Sequence, residues 1–200
     1  MVKEGLPFIL VPLAVAVVLA FFGWWMVAGV FAFVTAFMLY FFRDPERTPP
    51  SEPGLIISAA DGRVTRIDQT PDAKVVSVFL SPLDVHINRS PIAGKITQIA
   101  YIKGHKKPAT SEQASLVNER NSLVIEDGDL TVTCTQIAGI LARRIVCWPR
   151  EGTHLERGQR FGLIKFGSRT DLKFPIHYDV IVQIGDRVKG GETIIAKLVS

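Results

Sequence analysis

The residues best suited to chemistry begin with Gly167-Ser168, which closes the apolar run Gly162–Phe166 and precedes Arg169-Thr170-Asp171. A serine hydroxyl becomes a nucleophile only when a neighbouring base takes its proton. The chain's four histidines are His86, His105, His154 and His177. They are scattered, with no His-x-His pair, which argues against a zinc peptidase and against any metal site. Asp61, in Asp61-Gly62, reads by itself as turn chemistry. His86 reads by itself as a hydrogen-bonded core residue. Cys134 and Cys147 have no CxxC spacing, so they read as reduced structural thiols of a cytosol-facing domain. The net charge of +4 suits either ordinary solubility or a surface against anionic lipid. No Lys/Arg stripe interleaved with aromatics points to nucleic acid. The small basic cluster Lys103, His105, Lys106 and Lys107 reads as a solvated loop or a headgroup-attracting patch.

The elements that must position these groups are strands. From Leu55 onward, short β-branched runs are broken by Gly, Asp, Asn and Pro: Leu55–Ser58, Val75–Leu80, Lys95–Ile102, Ser122–Ile125, Leu130–Ile137, Gly162–Phe166 and Tyr178–Ile184. Asp127-Gly128 marks a hairpin between two of them. No segment has convincing helical periodicity, so the pattern predicts a mainly β catalytic domain, a compact barrel or sandwich. Gly152–Phe161 can be laid over Gly185–Ile194, both reading Gly-x-x-apolar-x-x-Gly-x-x-apolar. Such paired glycine-pinned turns resemble the barrel-sandwich hybrid of biotinyl and lipoyl carrier domains. That resemblance implies a rival function, a non-enzymatic carrier-like or adaptor module. Carriers place their modified lysine beside methionine, and here Met1, Met26 and Met38 all lie in the N-terminal segment.

That segment carries no charge from Leu6 to Phe42. One helix over it would be roughly 55 Å long, against a hydrocarbon core of about 30 Å. Gly23, followed by Trp24-Trp25, sits at its midpoint, and tryptophan favours the membrane interface. The expectation is a membrane-associated helical hairpin over 1–43, about Leu6–Phe22 and Trp24–Phe42, crossing or dipping into the bilayer. Lys3, Arg43 and Arg47 place both ends on the cytoplasmic side. A Pro-rich linker, 44–54, precedes the domain over 55–200.

Taken together and in order, Phe41–Arg47, Ser58-Ala-Ala-Asp61-Gly62-Arg63-Val64, Leu80-Ser-Pro-Leu-Asp84-Val-His86 and Phe166-Gly167-Ser168-Arg169 resemble the phosphatidylserine decarboxylase family, in its short, membrane-associated branch. The resemblance implies a proenzyme in which Ser168 attacks the Gly167 carbonyl and the chain parts into 1–167 and 168–200. These would remain together as a heterodimer able to dimerise further. Ser168 would become a pyruvoyl group that forms a Schiff base with a serine phospholipid, in place of pyridoxal phosphate. The implied reaction converts phosphatidylserine to phosphatidylethanolamine and carbon dioxide at the cell membrane; an archaeal ether-linked serine lipid offers the same headgroup chemistry. The resemblance pairs Asp61 with His86 to activate Ser168. Longer members carry a second histidine where this chain has Arg89, so either His86 serves both self-cleavage and decarboxylation or His154 or His177 contributes. Arg89, which cannot act as a base near neutral pH, could instead hold a phosphate or carboxylate.

Overall fold

The computed structural model describes residues 2–105, 107, 117–139, 144–165 and 167–199. Lys106 of the basic cluster and Phe166 of the serine motif lie outside the described residues. The chain divides into two compact units, 1–46 and 47–200.

The first unit is a helical hairpin of α1, Leu6–Phe21, and α2, Trp25–Phe41. Their break falls at Gly23, whose φ of +81° is the left-handed conformation that glycine adopts without steric cost. The far ends meet: a Cβ on Gly5 would lie 2.5 Å from the Phe42 ring. Phe21, Phe22, Trp24, Trp25 and Met26 stand exposed around the turn. The stretch Lys3–Phe21 is long and apolar enough to cross a membrane, whereas α2 is a shorter apolar helix.

The second unit is mainly β, as the run pattern predicts. Its strands are β1 Leu55–Ile57, β2 Gly62–Gln69, β3 Ala73–Leu80, β4 Ile87–Arg89, β5 Gly94–Ile102, β6 Arg120–Asp127 and β7 Leu130–Ala138. They continue as β8 Ile145–Cys147, β9 His154–Leu155, β10 Arg160–Ile164, β11 Ser168–Pro175, β12 Tyr178–Val180, β13 Arg187–Val188 and β14 Ile194–Leu198. Eight of them form a curled half-barrel in the order β13-β2-β3-β11-β7-β6-β5-β9. Two three-stranded sheets, β1-β14-β12 and β4-β10-β8, complete it. Alternate residues turn inward: Val64, Val76, Val78, Ile96, Leu123, Ile125, Val132, Leu172 and Phe174 are all buried in one cluster. Fully burying such a side chain contributes about 1.5–3 kcal/mol, so this cluster carries the fold.

The strand order is a palindrome of structure as well as of pairing. Each half runs from a two-residue edge strand through a long hairpin (β13-β2-β3, β9-β5-β6) to a central strand, β11 or β7, and the halves meet where β11 pairs with β7. In the second half, β6 turns directly into β7 at Asp127-Gly128, the hairpin expected from sequence. In the first half, β3 and β11 are neighbours but far apart in sequence. The chain leaves at Leu80 and returns at Ser168, and those two residues are register partners.

Candidate active site

Ser168 is the first residue of a central strand, flanked by Leu80 on β3 and Ala138 on β7. The sequence places the serine at the close of the apolar run Gly162–Phe166. That strand, β10, ends earlier, at Ile164, and the serine opens the next one. Ser168 is fully buried. Side chains of a strand alternate faces, so Ser168 shares its face with Thr170, Leu172 and Phe174, all buried. Its Oγ has no hydrogen-bond partner among the described residues. Burying a hydroxyl unbonded is costly, which marks this one as held for something other than stability.

Gly167 has φ +61°, and a Cβ built on it would meet nothing within 4 Å. Glycine is needed there for backbone conformation, not for space. Its carbonyl oxygen, the one Ser168 would have to activate, accepts the Gly139 N–H at 3.1 Å.

His86 comes from the turn that leaves β3 at Leu80. Asp84 ties that turn by accepting the N–H and Oγ–H of Ser81 at 2.8 and 2.6 Å. The His86 carbonyl accepts the Ile164 N–H, four residues ahead of Ser168, so the two ends of the chain around the serine are joined at His86. The ring is buried, with Nδ1 2.9 Å from the Asp84 carbonyl oxygen. A carbonyl can only accept, so Nδ1 carries the proton and Nε2 keeps the lone pair of a base. The other three histidines are exposed. His154 lies on an edge strand four strands from β11, and His177 lies past the far end of β11, more than about 20 Å along the strand from Ser168.

Asp61 stands just ahead of β2. Arg63 pairs with Phe79 and Phe79 with Arg169, so β3 separates Asp61 from Ser168 by two strand spacings, about 10 Å. The turn bearing His86 springs from that intervening strand. The Asp61 carboxylate meets the Arg47 guanidinium at 2.7 Å and the Gly190 N–H at 2.8 Å. No Asp61–His86 hydrogen bond is among these contacts. Burial pushes the Asp61 carboxyl above its ordinary value, opposed by Arg47 and the Gly190 N–H.

The family model for phosphatidylserine decarboxylase matches residues 34–196. A phosphatidylserine decarboxylase proenzyme of Symbiobacterium thermophilum is 47% identical, over 98% of this chain and 94% of the relative. Proteins of the same name from Nitrosomonas europaea and Geotalea uraniireducens are 45% and 39% identical, again over 98% of this chain. The chain belongs to the phosphatidylserine decarboxylase family.

Several groups around the serine of this family member escaped the sequence reading. A buried polar ladder lies on its face of the sheet: Asn121 Nδ2 donates to Gln136 Oε1 at 3.0 Å, Gln136 Nε2 to Asn88 Oδ1 at 2.8 Å, and Asn88 Nδ2 to Thr170 Oγ1 at 3.2 Å. Every member has a partner, so the ladder ties β6, β7 and β4 to β11, the strand that Ser168 opens. Period-two counting from Ser168 would have found Thr170, but the other three come from distant strands. Arg47 also binds Glu192, at 3.1 Å. Arg89 is buried and donates to the Gly158 carbonyl at 3.1 Å, a contact inside the fold. Cys134 and Cys147 are free thiols whose pKa values burial pushes up, which disfavours the thiolate.

Proposed function

We propose that this chain is a phosphatidylserine decarboxylase proenzyme that cuts itself at Gly167-Ser168 and converts phosphatidylserine to phosphatidylethanolamine and carbon dioxide. The observation that carries the reading is the pairing of a left-handed Gly167 with a buried, unbonded Ser168 Oγ, in a chain whose relatives are named proenzymes. The same orphaned hydroxyl fits a site where a pyruvoyl group is made from the serine.

His86 takes the Ser168 proton at Nε2, and Oγ adds to the Gly167 carbonyl carbon. The C–N bond breaks, Ser168 N takes a proton, and the peptide becomes an ester. Removal of the Ser168 Cα proton then expels the Gly167 carboxylate, ending the chain 1–167. The dehydroalanine left on 168–200 tautomerises, takes up one water and releases ammonia. Asp61 supplies negative charge on the far side of the His86 turn, which favours the imidazolium. The pyruvoyl group supplies an electron sink for the pair left when carbon dioxide departs. The chains 1–167 and 168–200 stay together because β11 is hydrogen-bonded on both edges, to β3 and β7. The apolar hairpin 1–43 holds the enzyme at the cell membrane, with its domain on the cytoplasmic side where the substrate headgroup is met.

Intact mass of the purified protein beside Ser168→Ala tests this. The wild type is expected as two chains split at 167/168, with the pyruvoyl mass on the smaller, and as releasing carbon dioxide from phosphatidylserine vesicles. The mutant stays whole. Two intact proteins after incubation with lipid would instead favour the carrier-like module.

A further inference from the structure

The carbonyl that self-cleavage must attack already has a donor aimed at it, the Gly139 N–H. That contact extends the β7–β11 ladder one residue past the Ala138–Ser168 pair, and the ladder accounts for its existence. It does not account for how the donor is held. The N–H belongs to the Ala138–Gly139 peptide plane, whose own carbonyl accepts Asn118 Nδ2 at 2.8 Å. Asn118 is fully buried. Its Oδ1 accepts the Lys107 N–H at 2.9 Å and its Nδ2 also reaches the Lys107 carbonyl at 2.8 Å, so its amide is fixed from both sides. The Ala138 N–H goes to the Glu119 carbonyl at 2.9 Å. A donor on the carbonyl end of a peptide polarises it and strengthens its N–H as a donor at the other end.

We propose that the Ala138–Gly139 peptide, positioned by Asn118, is the oxyanion donor of self-cleavage. The inference rests on Ser168 being the cleavage nucleophile. As Oγ bonds to the Gly167 carbon and its proton passes to His86, the carbonyl π pair moves onto the oxygen that Gly139 already contacts. That contact becomes charge-assisted and therefore stronger than in the precursor. The pair then returns, the C–N bond breaks and the Ser168 nitrogen takes the proton. A donor in place before the reaction costs no reorganisation during it, which is how oxyanion sites accelerate acyl transfer. Asn118 touches no reacting atom and is a positioning residue.

The test is cell-free translation into lipid nanodiscs, with pulse labelling to follow the appearance of 1–167 and 168–200. Relative to Gly139→Ala, lactic acid installed at 139 by nonsense suppression replaces the N–H by an ester oxygen and keeps the side chain, while weakening the Ala138 carbonyl as an acceptor. Cleavage is expected about 10² to 10³-fold slower than in Gly139→Ala. Asn118→Leu should be slower by about tenfold. Hydroxylamine, which attacks an ester, should not rescue Asn118→Leu, because the ester at 167/168 fails to form; the lactic acid protein, which carries a backbone ester of its own, is followed without hydroxylamine. Equal rates for the lactic acid and alanine proteins overturn the proposal even if Asn118→Leu misfolds. Rescue of Asn118→Leu by hydroxylamine also overturns it, since the defect would then lie in elimination. An uncleaved wild type in the same assay would sink the self-cleavage reading itself, and this inference with it.

Discussion

Two stretches of the second unit, Ser58–Ile67 and Ser90–Ile99, are built alike and do different work. Both read Ser-x-x-x-Gly-basic-β-branched-Thr-x-Ile. Ser58 and Ser90 each close their turn with an Oγ–H to the carbonyl two residues on, at 2.7 Å in both. Gly62 and Gly94 have φ of 152° and 154°, and a Cβ on either would collide with a backbone carbonyl across the sheet. Both strands bulge two residues later. The turns docking on them match too: Gly185 and Gly152 donate to Val64 and Ile96, which in return donate to Asp186 and Thr153. Everything the two share is therefore fold.

What they do not share gathers at one end. Asp61 stands where the other stretch has Ala93. The turns beyond are of equal length, but their hydrogen bonds are offset by one residue. Ser90 accepts from Gly158 and donates to Gln159, whereas Ser58 accepts from Gly191 and donates to Thr193. The residue passed over is Glu192, which stands opposite Gln159. Both carboxylates bound by Arg47, Asp61 and Glu192, are thus peculiar to the half that bears the serine. The Ala93 half shows that the turn closes without a carboxylate, which supports the catalytic role proposed for Asp61.

The sharpest way to break this comparison is to make the halves equal. Asp61→Ala copies Ala93 into the first half. Self-cleavage should fall by about 10² or more, the scale on which acid–base partners act, with the fold kept and Arg47 still paired to Glu192. Ala93→Asp should leave cleavage within about threefold of wild type. Pulse labelling reads the rates and far-ultraviolet circular dichroism the fold; loss of cleavage in both variants would mean the position matters only to the turn.

Gly167 and Gly128 make the second comparison. Their φ values are +61° and +58°, neither crowds a neighbour, and one precedes β11 while the other sits in the hairpin ahead of β7. Alanine at either should destabilise by about 1–2 kcal/mol, the cost of the left-handed conformation for an L-residue. Only Gly167→Ala should also slow self-cleavage, by about tenfold. Denaturant melts in a Ser168→Ala background isolate the stability effect, and unequal losses there would contradict a shared conformational cause.

The sequence carried the mainly β class, the Asp127-Gly128 hairpin and the helical break at Gly23, because each is written in local periodicity or in glycine. It pointed to Gly167-Ser168, His86 and Asp61 as candidates only through motifs taken together. The strand β11 was hidden because Ser-Arg-Thr-Asp-Leu-Lys-Phe-Pro reads as polar, although Arg169 is buried and paired with Asp171 at 2.9 Å. The Ser58 and Ser90 repeat was legible in residue order but overshadowed by the glycine turns that dock on it. Asn118, Gly139, Gln136 and Glu192 could not be found locally, because long-range strand register alone sets their neighbours.

A pH comparison sharpens the Asp61–Ala93 contrast further. The folded-state pKa of Asp61 is raised above 3.8 by burial. Between 3.8 and that raised value the native protein binds more protons than the unfolded one, so stability falls as pH rises through the window. Asp61→Asn removes this slope. Its stability relative to the wild type should therefore rise with pH from about 4 upward and level off, as read from urea midpoints in the Ser168→Ala background. A relative stability that falls across the window would mean Arg47 outweighs burial.

The smallest effect tests the shared part of the comparison. Ser58→Ala and Ser90→Ala each remove one buried hydroxyl that donates at 2.7 Å to a carbonyl in its own turn. Each should cost about 0.5–1.5 kcal/mol, and the two costs should agree. If equal construction means equal energetics, neither change needs to reach the serine. Cleavage should stay within about twofold for both, despite Ser58 lying three residues from Asp61. A selective loss of cleavage in Ser58→Ala would show that the shared turn also aims the carboxylate, and the boundary between fold and chemistry would move back to Ser58.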